Sequence, residues 1–282
     1  MYTKVKQMHI FYVATNNIYM KKILCLFLIL FNLLPSPTSH HTTIAEEAKS
    51  YLVIVIDDFG EDRAGVSEML SLDIPLTCAV MPNLTYSKMD AEIAHSKGHE
   101  VILHMPLEST ARLPISWYGP EMICTSDSPK TAIDKLKKAF DTVPFAKGLN
   151  FHMGAALPNN KNIVDEIVKY ATANGLYFLD SKTDMHSIVQ EVCKNNHASF
   201  LERDEFLEKH GSKSEYYARK KLMSAIDTSK QKGYSIVIGH VGPEGGISTY
   251  RAIKSMLDTF KRRNVEIVPL SFIYNQTQKN II

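Results

Sequence analysis

A strong charge of one sign is missing from this chain. Its 32 Lys and Arg nearly balance 30 Asp and Glu, leaving a net charge of +2 over 282 residues. No strong positive field points to nucleic acid as a partner. Cysteine is also scarce. The four present, Cys25, Cys78, Cys124 and Cys193, have no paired metal spacing. With Cys25 inside an N-terminal apolar run, an odd number remains, so at least one thiol is free and no disulfide framework is indicated. The chain has no His-Glu-x-x-His, which speaks against a metallopeptidase or amidase of that type. The glycine-rich stretch after His240, Val241-Gly242-Pro243-Glu244-Gly245-Gly246, lacks the Lys-Ser/Thr of a P-loop and reads as a connecting loop. Internal repeats and low-complexity segments are absent from the body of the chain. A single tryptophan, Trp117, sits in a Pro/Gly-bearing stretch, Ser109–Ser126.

What is present is ordinary globular material, 45% hydrophobic and 22% charged, enough for a sizeable core. The longest apolar run is Ile23–Phe31, shorter than a membrane span needs. It follows Met20-Lys21-Lys22 and precedes Leu33-Leu34-Pro35-Ser36-Pro37. A basic start, a short apolar centre and a small-residue exit predict a secretory signal peptide, with an uncleaved anchor as the alternative. Met20 is the better start for it. The expected organisation is signal peptide and linker over 1–49, one domain over 50–276 and a short tail over 277–282. Export to the periplasm or cell envelope follows, with no membrane span left after cleavage.

From Tyr51 onward, apolar runs alternate with helical periodicity. Strands are expected at Tyr51–Ile56, Pro75–Val80, Glu100–Leu103, Gly148–Phe151, Leu176–Leu179, Ser199–Leu201, Ser235–Gly239 and Val265–Leu270. Helices are expected at Asp62–Leu70, Tyr86–Ser96, Pro129–Asp141, Lys161–Ala173, His186–Asn195, Ser214–Lys232 and Ser248–Arg263. Ser128-Pro129 reads as an N-cap followed by proline in the first turn, and Gly98, Gly175 and Gly233 fall where helices should end. Repeated β-α units predict an α/β fold with a parallel sheet. About seven to eight of them favour a closed or nearly closed barrel over an open sheet.

In such folds the site lies at the C-terminal ends of the strands. Asp57-Asp58 ends the first run. Adjacent residues on a strand point to opposite sides unless the backbone turns, and Gly60 permits a turn. One carboxylate could then hold a metal while the other acts as base; a helix N-cap is the plainer alternative. His104 ends the third run and is a candidate metal ligand, against a core histidine. Glu108 lies four residues on, beyond Pro106, where a loop could return it to the site. His152, flanked by Asn150 and Gly154, is a second imidazole of the right type. His240 could protonate a leaving group. Asp180 reads as an orienting group behind the site, with a helix cap as its alternative.

These clusters resemble the divergent polysaccharide deacetylases, relatives of the NodB-type carbohydrate esterases. The resemblance rests on Val-Ile-Asp57-Asp58-Phe59-Gly60, Gly98-His99-Glu100-Val-Ile-Leu-His104-Met105-Pro106-Leu107-Glu108 and Asn150-Phe151-His152-Met153-Gly154. It continues through Asp180-Ser181-Lys182-Thr183, Glu202-Arg203-Asp204 and Ile238-Gly239-His240. It implies a distorted (β/α) barrel, a divalent metal such as zinc, and deacetylation of an envelope polysaccharide or peptidoglycan-type glycan. By position, Asp57 would be the base, Asp58 and His104 metal ligands, and His240 the general acid. The second histidine of the larger family's His-x-x-x-His falls on Glu108, so the third ligand is either Glu108 or His152. Ligand softness favours His152, with Glu108 near the metal or its water and Asn150 supporting. Trp117 and Tyr118 could stack on sugar rings. The broken histidine pair also keeps open a non-catalytic envelope protein that binds metal, glycan or a cell-wall partner.

Overall fold

Short β-branched runs become strands and the amphipathic stretches between them become helices. The computed structural model describes residues 48–109, 118–153, 160–183, 187–209 and 213–279. The expected leader and Trp117 lie outside them. The strands are β1 (Ser50–Phe59), β2 (Thr77–Val80), β3 (Glu100–Leu107), β4 (Ala146–Met153), β5 (Tyr177–Asp180), β6 (Phe200–Glu202), β7 (Glu205–Phe206), β8 (Tyr234–His240) and β9 (Val265–Ile267). The helices are α1 (Val66–Met69), α2 (Ser87–Ser96), α3 (Pro129–Thr142), α4 (Lys161–Ala173), α5 (Val189–Asn195), α6 (Glu215–Lys232), α7 (Gly246–Arg262) and α8 (Leu270–Lys279).

All named strands pair in parallel, in the order β6-β5-β4-β3-β2-β1-β8-β7, with β9 added to β1. β6 and β7 stand at opposite ends of this path, yet only Arg203 and Asp204 separate them. The Arg203 N–H donates to the Asp180 carbonyl at 3.0 Å and the Asp204 N–H to the Ile236 carbonyl at 2.8 Å. One broken strand therefore bridges the two edges, and the sheet curls into the expected distorted barrel. Crossover helices cover the outer face of the sheet, and inward side chains closed over by α8 fill the inner one, which is why β1 reads as an unbroken apolar run.

Period-two alternation divides each strand between two apolar layers. Leu52, Ile54 and Ile56 of β1 pack outward into the larger core under the helices. Val53 and Val55 pack inward with Ala79, Ile102, Leu179 and Ile238. Val268, Leu270 and Ile273 close this inner layer from the start of α8. The α8 N-terminus is fastened there: the Leu270 N–H donates to Thr77 Oγ1 and the Ser271 N–H to Glu100 Oε1, each at 3.0 Å. Followed towards their C-terminal ends, the inward columns run Val53-Val55-Asp57, Ile102-His104 and Ile236-Ile238-His240. The same alternation that fills the barrel thus carries polar residues to its mouth.

Local signals held at α3, where Ser128 Oγ accepts from Thr131 N–H at 3.1 Å and Pro129 occupies the first turn. Several expectations need correction: β3 runs on to Leu107 and β4 to Met153, past the ends expected at Leu103 and Phe151, and α5 begins only at Val189. The helix expected over Asp62–Leu70 is only Val66–Met69. Gly65 takes φ 83° there, and a Cβ on it would stand 2.6 Å from the Gly246 carbonyl carbon, so the segment before it remains a loop. The strand expected over Val265–Leu270 ends at Ile267, and Leu270 begins α8. The two-residue strand β7 was not expected. Cys78, Cys124 and Cys193 are all free, and no described helix is long and apolar enough to cross a membrane.

Candidate metal centre and its cleft

β1 pairs Ile56 with Cys78 and then Phe59 with Val80, so β1 carries one residue more than β2 across this interval. The bulge falls at Asp57-Asp58, and Asp58 absorbs it with φ 70°. Both carboxylates thereby face one site. The turn was expected from Gly60, which also has positive φ, at 125°, but the decisive residue is Asp58 itself. Met153 (φ 66°) and Lys182 (φ 47°) adopt the same left-handed conformation just past His152 and Ser181. Such backbone outliers concentrate at functional sites.

Three ligand-type atoms converge. His104 Nε2 lies 3.3 Å from Asp58 Oδ1, His152 Nδ1 lies 3.1 Å from the same oxygen, and the two nitrogens are 3.1 Å apart. Ligand atoms about 2.0–2.1 Å from a tetrahedral ion stand about 3.3 Å from each other. Asp58 Oδ1 is buried and has no hydrogen-bond partner among the described residues. Lone pairs converging on one point need a proton or a cation between them. The residues present therefore fit a divalent ion held by Asp58, His104 and His152.

Asn150, fully buried, fixes the ring state of His104. Its Nδ2 donates to Asp57 Oδ1 at 3.0 Å and to Ser181 Oγ at 3.3 Å. Its Oδ1 must then accept, and His104 Nδ1 lies 2.7 Å away. The His104 proton is thus placed on Nδ1, and Nε2 presents its lone pair to the cluster. Burial works against charge on His104, but Asp57 and Asp58 outweigh it and hold its pKa above the ordinary value. Burial would also raise Asp58, yet His152 and His104 bring it well below the usual carboxylate range. Asp57 goes the other way. Burial raises its pKa, against the pull of His104 and His240. Its Oδ2 lies 3.7 Å from His104 Nε2.

On the far side stands His240. Its Nδ1 is 2.9 Å from Glu208 Oε2, and its backbone N–H donates to Glu208 Oε1 at 3.1 Å. Thr249 Oγ1 donates to the same Oε1. Burial lowers the imidazole pKa, but the Glu208 hydrogen bond and the nearby Asp58 overcome this and push it up to about 10. Glu208 is the residue the sequence did not reveal. It follows the unexpected β7 and belongs to none of the apolar-run-plus-polar clusters that marked the other groups.

A cleft of about 590 Å³ connects these groups; its apolar wall includes Met81, Leu84, Phe151 and Phe206. Not every expected residue reaches it. Glu108 accepts from the Thr125 N–H at 2.7 Å and from Thr125 Oγ1 at 2.6 Å, bonds that hold its carboxyl below the usual range. It anchors the loop whose Ile123 bridges Leu107, and it neither joins the ligand cluster nor lines the cleft. Tyr118 is 5% exposed, too buried to offer a stacking face, and its neighbour Gly119 lines the cleft instead. Asp180 accepts from the Lys182 N–H at 2.8 Å and from Ser187 Oγ at 2.7 Å, shaping the turn that presents Ser181.

A curled parallel sheet with an aspartate and two histidines gathered at its strand ends defines an α/β protein with a candidate metal site. The chain belongs to the divergent polysaccharide deacetylase family, whose model matches residues 54–274. It is 29% identical over 229 residues to the uncharacterized protein YibQ of Escherichia coli (strain K12), covering 80% of this chain and 68% of that one. It is 26% identical over 196 residues to an uncharacterized protein of Haemophilus influenzae, covering 70% and 68%. The crystal structure of the uncharacterized protein ATU2773 from Agrobacterium tumefaciens C58 shares the fold, with TM-score 0.71, 21% identity, and 80% and 90% coverage.

Proposed function

We propose that this protein is an exported, metal-dependent hydrolase that removes N- or O-acetyl groups from an envelope polysaccharide. The observation that carries the reading is the cluster of Asp58, His104 and His152 around a buried, unpartnered carboxylate oxygen. Two imidazoles and one carboxylate suit zinc. Such an ion would polarise the acetyl carbonyl and bring the pKa of a coordinated water towards about 7. Asp57, with its raised pKa and one oxygen held by Asn150, takes the proton from the attacking water. His240, kept protonated by Glu208, gives a proton to the departing amine or alkoxide. Asn150 holds base and ligand in one frame, while the apolar wall excludes bulk water.

The test is metal content and acetate release of the purified chain, beside Asp58→Ala, His152→Ala and Glu108→Ala. Near-stoichiometric zinc is expected in the wild type and in Glu108→Ala, with loss in the other two. If metal-loaded wild type left acetylated glycans untouched and Asp58→Ala behaved identically, catalysis would be abandoned for a glycan-binding role. Asn150→Ala is expected to weaken metal affinity roughly 10- to 100-fold, read by competition with a chelating dye. Unchanged affinity would mean that His104 is oriented without this amide.

A further inference from the structure

Six carboxylates line the cleft, and among the described lining residues there is no lysine or arginine. Asp57, Asp58 and Glu208 belong to the chemistry above. Glu61, Asp62 and Glu244 do not. The first two follow β1 and the third follows β8, the strand paired directly with β1. The two loops touch, since a Cβ on Gly242 would stand 3.1 Å from Asp62 Cβ. Glu61 accepts from the Thr85 N–H at 3.3 Å and Asp62 from the Ala64 N–H at 2.8 Å, but neither they nor Glu244 pairs with a described cation.

The cations next to lining residues are engaged with other groups. Arg63, next to Asp62, places Nη1 2.6 Å from Oδ1 of the buried Asp90 and covers the Tyr86 ring. Lys182, between the lining residues Ser181 and Thr183, reaches Glu202 at 3.3 Å. Arg203 donates Nε–H to the Ser181 carbonyl at 2.7 Å and lies 3.6 Å over the Phe206 ring. A divalent ion and a protonated His240 would offset three of the six negative charges, leaving the mouth negative. Apolar walls concentrate that field instead of dissipating it.

We propose that the cleft selects its glycan by charge. It accepts acylated segments that are neutral or cationic beside the reacting group and rejects those bearing carboxylate, sulfate or phosphate there. Glu61, Asp62 and Glu244 are the specificity-determining residues. The inference rests on the deacetylase reading and extends it to substrate class. Each amine uncovered by N-deacetylation becomes an ammonium that this mouth attracts, so a partly processed chain stays a good ligand.

The test compares three oligosaccharides on the metal-loaded full chain: N-acetylglucosamine oligomers, the same oligomers partly de-N-acetylated, and oligomers alternating N-acetylglucosamine with glucuronate. Acetate release and equilibrium binding are both measured, for wild type and for Glu61→Gln/Asp62→Asn/Glu244→Gln. Wild type is expected to prefer neutral over anionic oligomers roughly tenfold at low ionic strength, less at high salt. In the triple variant that ratio collapses towards one. Equal use of neutral and anionic oligomers by wild type, or a ratio unchanged in the variant, overturns the inference while leaving a deacetylase. Charge-selective binding with no acetate released keeps the selection and removes the enzymatic reading. Binding of none of the three overturns both.

Discussion

Asp57→Asn is expected to cut acetate release by roughly 10²- to 10⁴-fold while the metal stays bound, the range associated with losing a positioned general base. The substitution is nearly isosteric. Asn150 Nδ2, 3.0 Å from Asp57 Oδ1, can still donate to the new amide oxygen, so the frame around His104 survives. The stability effect has the opposite sign to the activity effect. Asp57 is 2% exposed, and burial, the largest influence, raises its folded pKa above the ordinary 3.8. A group raised on folding contributes stability that is full below the unfolded value and is lost as pH rises through the folded one. At neutral pH the ionised Asp57 is therefore a cost, and the metal-free Asp57→Asn variant should melt no lower than wild type. Calorimetry at pH 5 and pH 8, beside activity of the metal-loaded forms, checks both halves. Retained activity would remove Asp57 from the base role; a large loss of stability at pH 8 would make it a structural residue instead.

The strand ends were legible because each polar cluster follows an apolar run, but which residues face inward was not, since β1 is apolar on both faces. The structure turns Val53 and Val55 inward, so Asp57 follows, and Ile102 commits His104 in the same way. The third ligand was left between Glu108 and His152 because the sequence cannot say where a loop returns. The pairing of β3 with β4 places His152 opposite Pro106, one alternation beyond Asn150 opposite His104, and so delivers it to the cluster. Glu108, past the end of β3, is instead captured by Thr125. The Asp57-Asp58 bulge was only half legible: two adjacent acids needed a turn, but neither composition nor periodicity marks an aspartate for the left-handed region. Glu208 and the two-residue β7 were invisible for a related reason. A strand of that length has no periodicity to detect, and it exists because Arg203 and Asp204 carry the chain from one sheet edge to the other.

Glu208 carries the other large expected effect. With His240 protonated up to about 10, the basic limb of the pH profile should lie well above neutrality. An ion in the cluster, by offsetting Asp58, draws that limb down, but Glu208 acts on the ring directly in either case. Its Oε2 lies 2.9 Å from His240 Nδ1 while Oε1 accepts from the His240 backbone and from Thr249. Carboxylate, ring and main chain thus form one unit, which fixes which ring nitrogen faces the carboxylate and leaves the other for proton transfer. Glu208→Gln keeps the shape and an acceptor but removes the charge. It is expected to lower the rate roughly 10- to 100-fold and to move the basic limb of kcat/KM to lower pH by at least about one unit. A purely structural Glu208 would lower the rate without moving that limb. The profile therefore distinguishes a carboxylate that holds a proton on His240 from one that merely holds the β7–β8 edge together. Unchanged limbs in Glu208→Gln, with His240→Ala as active as wild type, would take the general acid away from this side of the cleft.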